Sequence, residues 1–157
     1  MLKALSPTQN YTIREDAGGS GRFRAPRTKT LKDGTIFHYE HEGLDLVGQP
    51  GQGNVGPITG KGHWIWAYEK DSYSGLEITD GTLIVKVLYV LPPPQFKQRN
   101  GLVEAGKAIG VMQDISKKYP NVIPHIHLEC RIHPSKMCSK MLKLFPRGIP
   151  INPEVLL

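Results

Sequence analysis

Glycine and proline divide this chain into short segments, and that division constrains the fold more than any other feature of the sequence. The 157 residues include 17 Gly and 13 Pro, which favour turns and strands over long helices. Residues 76–79 and 82–91 flank the turn dipeptide Asp80-Gly81 and predict a β-hairpin. Residues 123–132 alternate apolar with polar side chains, as a strand does. We therefore predict a mainly β fold with a small antiparallel β-sheet.

The overall composition is that of a chain that buries a single core. Hydrophobic residues make up 39% and charged residues 22%, and no apolar run approaches the roughly 20 residues of a membrane-spanning helix. The formal net charge of +6 favours polyanionic partners in general. The longest basic run is Lys117-Lys118 and the other basic residues are scattered, so we predict no nucleic-acid partner. Residues 1–10 contain one Lys and no long apolar segment, so we predict no signal peptide.

The two ends of the chain differ from its centre. Residues 1–17 have no periodic pattern and are predicted to form an N-terminal arm, residues 18–133 a β domain, and residues 134–157 a C-terminal arm. Between residues 135 and 145, apolar positions recur at helical spacing with lysines between them, and the prolines that follow predict an extended end. This arm is either a helix packed on the sheet with a frayed end, or a docking element for a partner protein.

Two pairs of residues with metal-ligand chemistry lie at predicted strands. His125 and His127 are two residues apart, so a strand projects both side chains from one face. His41 and Asp45 straddle the turn into a short predicted strand at residues 43–47. Neutral imidazole and carboxylate are good zinc ligands, and three protein ligands plus a water make a catalytic zinc site. His41, Asp45 and one of the paired histidines supply such a set.

These residues belong to a wider pattern. Two motifs, H-x-G-x-D and H-x-H followed by an apolar and an acidic residue, are matched by His41, Gly43, Asp45, His125 and His127. Between them lies a glycine-rich stretch at residues 101–110, and residues 19–27 form the entry to the first motif. In this order and spacing, the sequence resembles the lysostaphin/LytM family of zinc metallopeptidases, which cleave peptide bonds in peptidoglycan. The resemblance covers about residues 18–132.

The resemblance implies a zinc site on the floor of a groove in a β-sheet of the duplicated-hybrid-motif type. His41, Asp45 and His127 would bind the zinc ion (Zn²⁺), and His125 would stand beside the bound water as general base or as a hydrogen-bond donor to the oxyanion. The substrate would be a peptidoglycan peptide. Residues 18–133 would then form a LytM-like zinc peptidase domain that acts at the cell wall, carried by a virion or released by lysis or non-classical export.

One departure from the family pattern concerns activity. Active members carry a further histidine in a Y-x-H motif on the strand after the central hairpin, and the corresponding residues here are Tyr89, Val90 and Leu91. Leucine neither donates a hydrogen bond nor takes a proton, and loss of one such donor costs about 10²–10³ in rate. His38 and His63 are the candidates to replace it. The chain is therefore either an endopeptidase or a weak or inactive zinc-binding protein, such as a structural phage tail component. The third alternative is an unrelated β domain with incidental histidines.

Residues 75–78, 85–89 and 118–120 also resemble leukocyte-derived chemotaxin 2, a protein with this fold that is regarded as a non-peptidase and that lacks the same histidine. That protein is rich in disulfides, whereas this chain has only Cys130 and Cys138, so we do not assign chemotaxin function. The two cysteines either form one bridge or remain thiols, and we favour thiols.

Four further residues complete the sequence predictions. Trp64 and Trp66 share one face of a predicted strand, where they either line a binding groove as flat platforms or pack on the sheet. Glu129 shares the strand face of the paired histidines, where it either orients an imidazole or points into solvent. Cys130 lies three residues past His127, so it is predicted to face the opposite side of the strand and not to bind the metal.

Overall fold

The structure, a computed structural model, describes residues 6–9, 11–67, 72–97, 101–155 and 157. Residues 1–5 and 10 of the predicted N-terminal arm and residue 156 of the C-terminal arm lie outside these ranges. The described residues contain one short α-helix, α1 (Ser139–Leu144). The strands are, in chain order, β1 (Glu15–Asp16), β2 (Gly19–Ser20), β3 (Pro26–Thr30), β4 (Ile36–Glu40), β5 (Gly43–Val47), β6 (Gly53–Val55), β7 (Gly60–Trp66), β8 (Ser74–Thr79), β9 (Leu83–Leu88), β10 (Val90–Leu91), β11 (Gly101–Val103), β12 (Ala108–Met112), β13 (His125–Ile132) and β14 (Ile149–Ile151).

A seven-stranded antiparallel sheet forms the body of the protein. Its strand order is β11-β7-β8-β9-β13-β14, and β5 pairs with the first half of β13. β9 runs along one side of β13, while β5 and β14 share the other side. A three-stranded sheet, β10-β12-β6, and the two-stranded pairs β1-β2 and β3-β4 complete the architecture. The predicted fold class, mainly β with antiparallel pairing, is confirmed.

Alternation along β13 separates the core from the site. Ile126, Leu128 and Cys130 are almost fully buried and belong to the main hydrophobic cluster, where burial of each large aliphatic side chain stabilises the fold by about 1.5–3 kcal/mol. The residues between them, which include both histidines of the H-x-H motif, leave the sheet on the other face. Cys130 thus lies opposite the histidines, as predicted. Both Cys130 and Cys138 are free thiols.

The predicted central hairpin is present, but its second strand is shorter than expected. Asp80 Oδ1 accepts hydrogen bonds from two backbone N–H groups across the turn, and Gly81 takes the left-handed conformation with a φ of 85°. The sequence predicts one strand over residues 82–91, and this is wrong. Tyr89 has a φ of 66°, which ends β9 and turns β10 away to pair with β12 in another sheet. The β propensity of tyrosine conceals this break in the sequence.

Residues of both predicted arms pair with the main sheet. Ile13 forms a bridge with Leu46 of β5, and β14 pairs with the end of β13. Pro150 is tolerated in β14 because this is an edge strand. The helix is shorter than residues 135–145, and none of its residues is buried, so β14 and not the helix packs on the sheet. The boundaries at residues 17 and 133 stay predictions. The helix found in the described residues is too short to cross a membrane.

Candidate metal centre

The two histidine-containing motifs meet because their strands are neighbours. β5 and β13 are antiparallel, and Asp45 is the register partner of His127, so both side chains leave the sheet on the same face. His41 lies two residues before β5, where its backbone N–H donates to the carbonyl of Ala25. All four predicted site residues are buried: His41, Asp45, His125 and His127.

Three of these side chains converge on one point. His127 Nδ1 is 2.9 Å from Asp45 Oδ1. His41 Nε2 is 3.0 Å from His127 Nδ1 and 3.2 Å from Asp45 Oδ1. Among the described residues, this is the one group of three His, Cys, Asp or Glu side chains whose ligand atoms, within 4.8 Å of one another, are placed to hold a metal ion. Two imidazole nitrogens and a carboxylate oxygen are a donor set that suits zinc.

The second nitrogen of each ligand histidine has its own partner. His41 Nδ1–H donates to the carbonyl of Arg22 at 2.9 Å, which leaves the lone pair of Nε2 directed at the cluster. His127 Nε2–H donates to Glu129 Oε1 at 3.3 Å, which leaves the lone pair of Nδ1 in the same position. Partners of this kind set the tautomer and the ring orientation of metal-binding histidines. Glu129 therefore orients an imidazole, which decides between its two predicted roles.

The electrostatics of the cluster favour a bound cation. Burial opposes a charge on His127, but hydrogen bonds with Asp45 and Glu129 raise its pKa to about 9. Burial likewise opposes the charge on Asp45, but hydrogen bonds from His127 and His41 hold the pKa of this carboxyl far below its usual range. The buried carboxylate therefore retains its charge, and it accepts a hydrogen bond from Nδ1–H of His127 when that imidazole is protonated. A metal ion would take the place of that proton, since metal ligands bind in their deprotonated form.

A buried arginine holds the other oxygen of Asp45. Arg14 is 4% exposed, and its Nε and Nη2 donate to Asp45 Oδ2 at 3.1 and 3.0 Å. Its Nη1 also donates to Asp16. Arginine is well suited to such a two-point contact because its donors form a rigid planar fork. With Oδ2 held by Arg14, the carboxylate directs Oδ1 at the two histidines.

His125 stands beside the cluster and is not part of it. Its Nδ1–H donates to the carbonyl of Ile123 at 2.7 Å, so the lone pair is on Nε2. Nε2 is 3.7 Å from Asp45 Oδ1. Burial lowers the pKa of His125, although the nearby Asp45 charge opposes this effect. A neutral imidazole with a free lone pair next to a metal cluster has the properties of a general base.

The four residues lie on the floor of a groove of about 590 Å³. The β3–β4 hairpin lines the groove, with Arg27, Lys29 and Tyr39 among the lining residues, and residues of the segment 118–122 line it as well. The walls carry both basic and acidic side chains, and the floor is formed by β5 and β13. This arrangement leaves the cluster accessible from one side while the sheet closes the other.

Known proteins and solved structures are similar to this chain. No protein-family model matches the chain. Over 120 residues it is 28% identical to leukocyte cell-derived chemotaxin-2 from Bos taurus, a match that covers 73% of this chain and 69% of that protein. The catalytic domain of the antimicrobial peptidase lysostaphin from Staphylococcus simulans aligns with a TM-score of 0.53 and 18% identity over 94% of this chain and 92% of that domain. A zinc-containing peptidase from Vibrio cholerae aligns with a TM-score of 0.54 and 15% identity over 96% of this chain, which spans 39% of that protein.

The chain has the lysostaphin/LytM-type fold. The resemblance stated from the motifs is confirmed, and the structure gives a packing reason for the glycine of H-x-G-x-D. A Cβ added at Gly43 would lie 2.5 Å from Cε1 of His127 and 2.7 Å from the backbone oxygen of Leu128. The absence of a side chain at Gly43 therefore makes room for the His127 imidazole.

The groove of this lysostaphin-type domain contains a tyrosine near the position where a histidine is expected. Leu91 is 46% exposed and is absent from the groove lining, whereas Tyr89 lines the groove. The Tyr89 ring is edge-on to His125, with 5.5 Å between the ring centroids, and Tyr73 packs on it at 5.6 Å. Its left-handed backbone is unusual for a bulky residue and is typical of functional sites.

Four other side chains considered from the sequence lie outside the groove, which for the two tryptophans leaves packing on the sheet, the second of the two predicted alternatives. His38 and His63, the candidates to replace the missing histidine, do not line the groove, and neither do Trp64 and Trp66. The two tryptophan rings instead contact each other edge-to-face on β7, 6.2 Å between centroids. Arg14 was missed because it lies in a stretch without a periodic pattern, and no local signal marks an arginine as buried.

Proposed function

We propose that this chain is a zinc-dependent endopeptidase that cleaves peptide bonds of bacterial peptidoglycan at the cell wall. The observation that supports the proposal most is the convergence of His41 Nε2, Asp45 Oδ1 and His127 Nδ1 within about 3 Å of one another. The lysostaphin-type fold supports it independently, because lysostaphin is itself described as an antimicrobial peptidase.

In this proposal each residue has a separate task. His41, Asp45 and His127 would hold the zinc ion, with Arg14 and Glu129 keeping two of the ligands in place. When bound, zinc supplies Lewis acidity to the attacking water and to the scissile carbonyl. His125 Nε2 accepts a proton as the water oxygen forms its bond to the carbonyl carbon, and returns that proton to the amine as the C–N bond breaks.

The groove suits an extended peptide with charges of both signs. The side chains of Lys29 and Lys118 contribute positive charge to its walls, and Glu40 and Glu42, each in an ion pair with an arginine, contribute carboxylate oxygens. Peptidoglycan peptides carry both free carboxylates and amines, which such walls attract. The Tyr89 ring packs perpendicular to the His125 imidazole, with 5.5 Å between the ring centroids, and this contact limits the rotation of the imidazole.

The direct test is the release of free amines from purified peptidoglycan. We expect the zinc-loaded chain to release amines, a strong chelator to stop the release, and His125→Ala to abolish it while retaining zinc. His63→Ala is the matched control, because this histidine lies on β7 beside Glu77 and outside the groove lining. If the zinc-loaded wild type and His125→Ala are equally inert on walls with several types of cross-link, the peptidase proposal fails.

The second candidate function is a zinc-binding protein of this fold without turnover, with a structural or binding role such as that of a phage tail component. Two observations favour this second candidate. Leu91 is exposed, and among the described residues no other histidine lines the groove in place of the missing one. The 28% identity to a chemotaxin also fits a role other than hydrolysis. Stoichiometric zinc without amine release is the result expected for this candidate.

A further inference from the structure

The chain leaves the main sheet between β13 and β14 and forms a separate surface there. Ile132 at the end of β13 is the register partner of Ile149 at the start of β14, so residues 133–148 begin and end at the same place. We call these residues the basic protrusion. It contains a short 3₁₀ turn at Pro134–Lys136 and the helix α1.

The protrusion carries positive charge without compensation. Its four basic side chains are exposed: Lys136, Lys140, Lys143 and Arg147. The sequence has no Asp or Glu between residues 133 and 153. In the described part of the chain, none of the four forms an ion pair, whereas Lys86 and Arg131 on the sheet both do.

Apolar side chains are exposed on the same segment. Met141, Leu144 and Phe145 are 39%, 68% and 40% exposed. Met141 and Leu144 have the i, i+3 spacing that places side chains on one side of a helical turn, and Phe145 follows directly where the helix ends. No residue of α1 is buried, so the apolar side of the helix faces away from the core and is flanked by Lys140 and Lys143.

We propose that the basic protrusion docks onto a membrane surface that contains anionic lipids. Lipid phosphates attract the lysines and the arginine, and the boundary of the acyl chains takes up the methionine, leucine and phenylalanine side chains. A hydrophilic polyanion, such as a nucleic acid or an anionic wall polymer, matches the charge but leaves the three apolar side chains in water. The combination of uncompensated charge with an outward apolar turn therefore selects an anionic bilayer.

The position of the protrusion keeps the groove available while the chain is docked. A strand rises about 3.3 Å per residue, so the five residues from His127 to Ile132 place the protrusion roughly 17 Å along β13 from the metal cluster. The docking proposal goes beyond the peptidase proposal and does not depend on it. A His41→Ala variant, which removes a metal ligand, should bind vesicles as the wild type does.

The first experiment is co-sedimentation of the full chain with vesicles. We expect binding to vesicles of mixed phosphatidylglycerol and phosphatidylcholine, weaker binding at high salt, and little binding to phosphatidylcholine alone. Each basic residue near an anionic surface contributes about fivefold to partitioning, so Lys140→Glu with Lys143→Glu should lower it by at least about 25-fold. The control is Lys61→Glu with Lys107→Glu, which makes the same charge change at two exposed lysines elsewhere.

The second experiment measures insertion of the apolar side chains. Cys138 is exposed at the start of α1 and Cys130 is buried, so a polarity-sensitive fluorophore can be attached to Cys138 alone. We expect a blue shift of its emission on vesicles that contain phosphatidylglycerol. Leu144→Ser with Phe145→Ser should remove the shift without changing the melting temperature, because both side chains are exposed.

Three results would overturn the proposal. The first is a failure to bind the vesicles that contain phosphatidylglycerol more strongly than those of phosphatidylcholine alone. Binding to neither kind of vesicle would leave the surface to a protein partner. The second is an equal loss of binding in the control pair, which would mean that only the net charge acts. The third is an unchanged emission spectrum, or a Leu144→Ser and Phe145→Ser variant that behaves like the wild type. Loss of amine release in any variant has no bearing on these outcomes.

Discussion

Replacing Gly43 by alanine tests how closely the metal cluster depends on the packing between β5 and β13. The added Cβ would lie 2.5 Å from Cε1 and 2.6 Å from Nε2 of His127. Ordinary contacts of this kind begin near 3.4 Å, so the imidazole has to move by about 1 Å. A shift of β5 does not avoid this movement of the imidazole, because the same Cβ would lie 2.7 Å from the backbone oxygen of Leu128 in the neighbouring strand.

The size of this displacement determines the expected loss of zinc affinity. Ligand distances in a metal site are held to within about 0.2 Å, so a shift of about 1 Å in His127 removes it as an effective ligand. Loss of support for a single metal-binding histidine already costs about 10–100-fold in affinity. We therefore expect Gly43→Ala to weaken zinc binding by at least that factor. Overpacking at this position should lower the free energy of unfolding by about 1–3 kcal/mol.

Zinc affinity is measured by competition with a chromophoric chelator, and stability by thermal unfolding of the metal-free chain. The matched control is Gly53→Ala on β6, where an added Cβ meets nothing within 4 Å and the backbone does not have a positive φ. The control should keep both the affinity and the melting temperature. The reasoning is refuted if Gly43→Ala is folded and binds zinc within about twofold of the wild type, since a 1 Å shift of a ligand would not be compatible with that result.

Three other changes have expected outcomes. Arg14→Met removes both donors to Oδ2 of the buried Asp45 carboxylate and should lower the free energy of unfolding in urea by about 3–5 kcal/mol; a loss below about 1 kcal/mol would contradict the buried pairing. The pKa of His127 is raised to about 9, so protons compete with zinc below that pH, and zinc affinity should rise about 100-fold between pH 6 and 8; a flat profile would contradict this competition. A thiol reagent should modify Cys138 in the native chain and Cys130 only after denaturation, because burial raises the pKa of Cys130 to about 12.

The ligand set shows how far local sequence reasoning reaches. Spacing alone identifies His41, Asp45 and one histidine of the H-x-H pair, because both members of that pair leave the strand on one face. Only the family resemblance singles out His127. In the structure it is His127 that lies beside Asp45 and His41, since His127 is the register partner of Asp45 and His125 lies two residues along the strand. Strand register is a long-range property, and the sequence does not state it directly.

The break at Tyr89 could not be predicted for a different reason. Residues 82–91 alternate and are rich in β-branched side chains, so every local preference indicates one strand. Tyr89 has a left-handed φ, and its ring contacts Tyr73 and His125, which are distant from it in sequence. A strained residue at a candidate site is the kind of position where local rules are expected to fail.

The distribution of surface charge could not be predicted from the sequence either. The basic residues are scattered along the sequence, which argues against a basic patch, but ion pairs between distant residues redistribute the charge. Arg14 is paired with Asp45, and Arg131 with Glu42, so these arginines add little to the field outside the protein. The lysines of residues 133–148 have no such partners among the described residues. A surface whose basic side chains have no ion-pair partners among the described residues therefore arises from a sequence without a long basic run, because the folded chain determines which charges are neutralised.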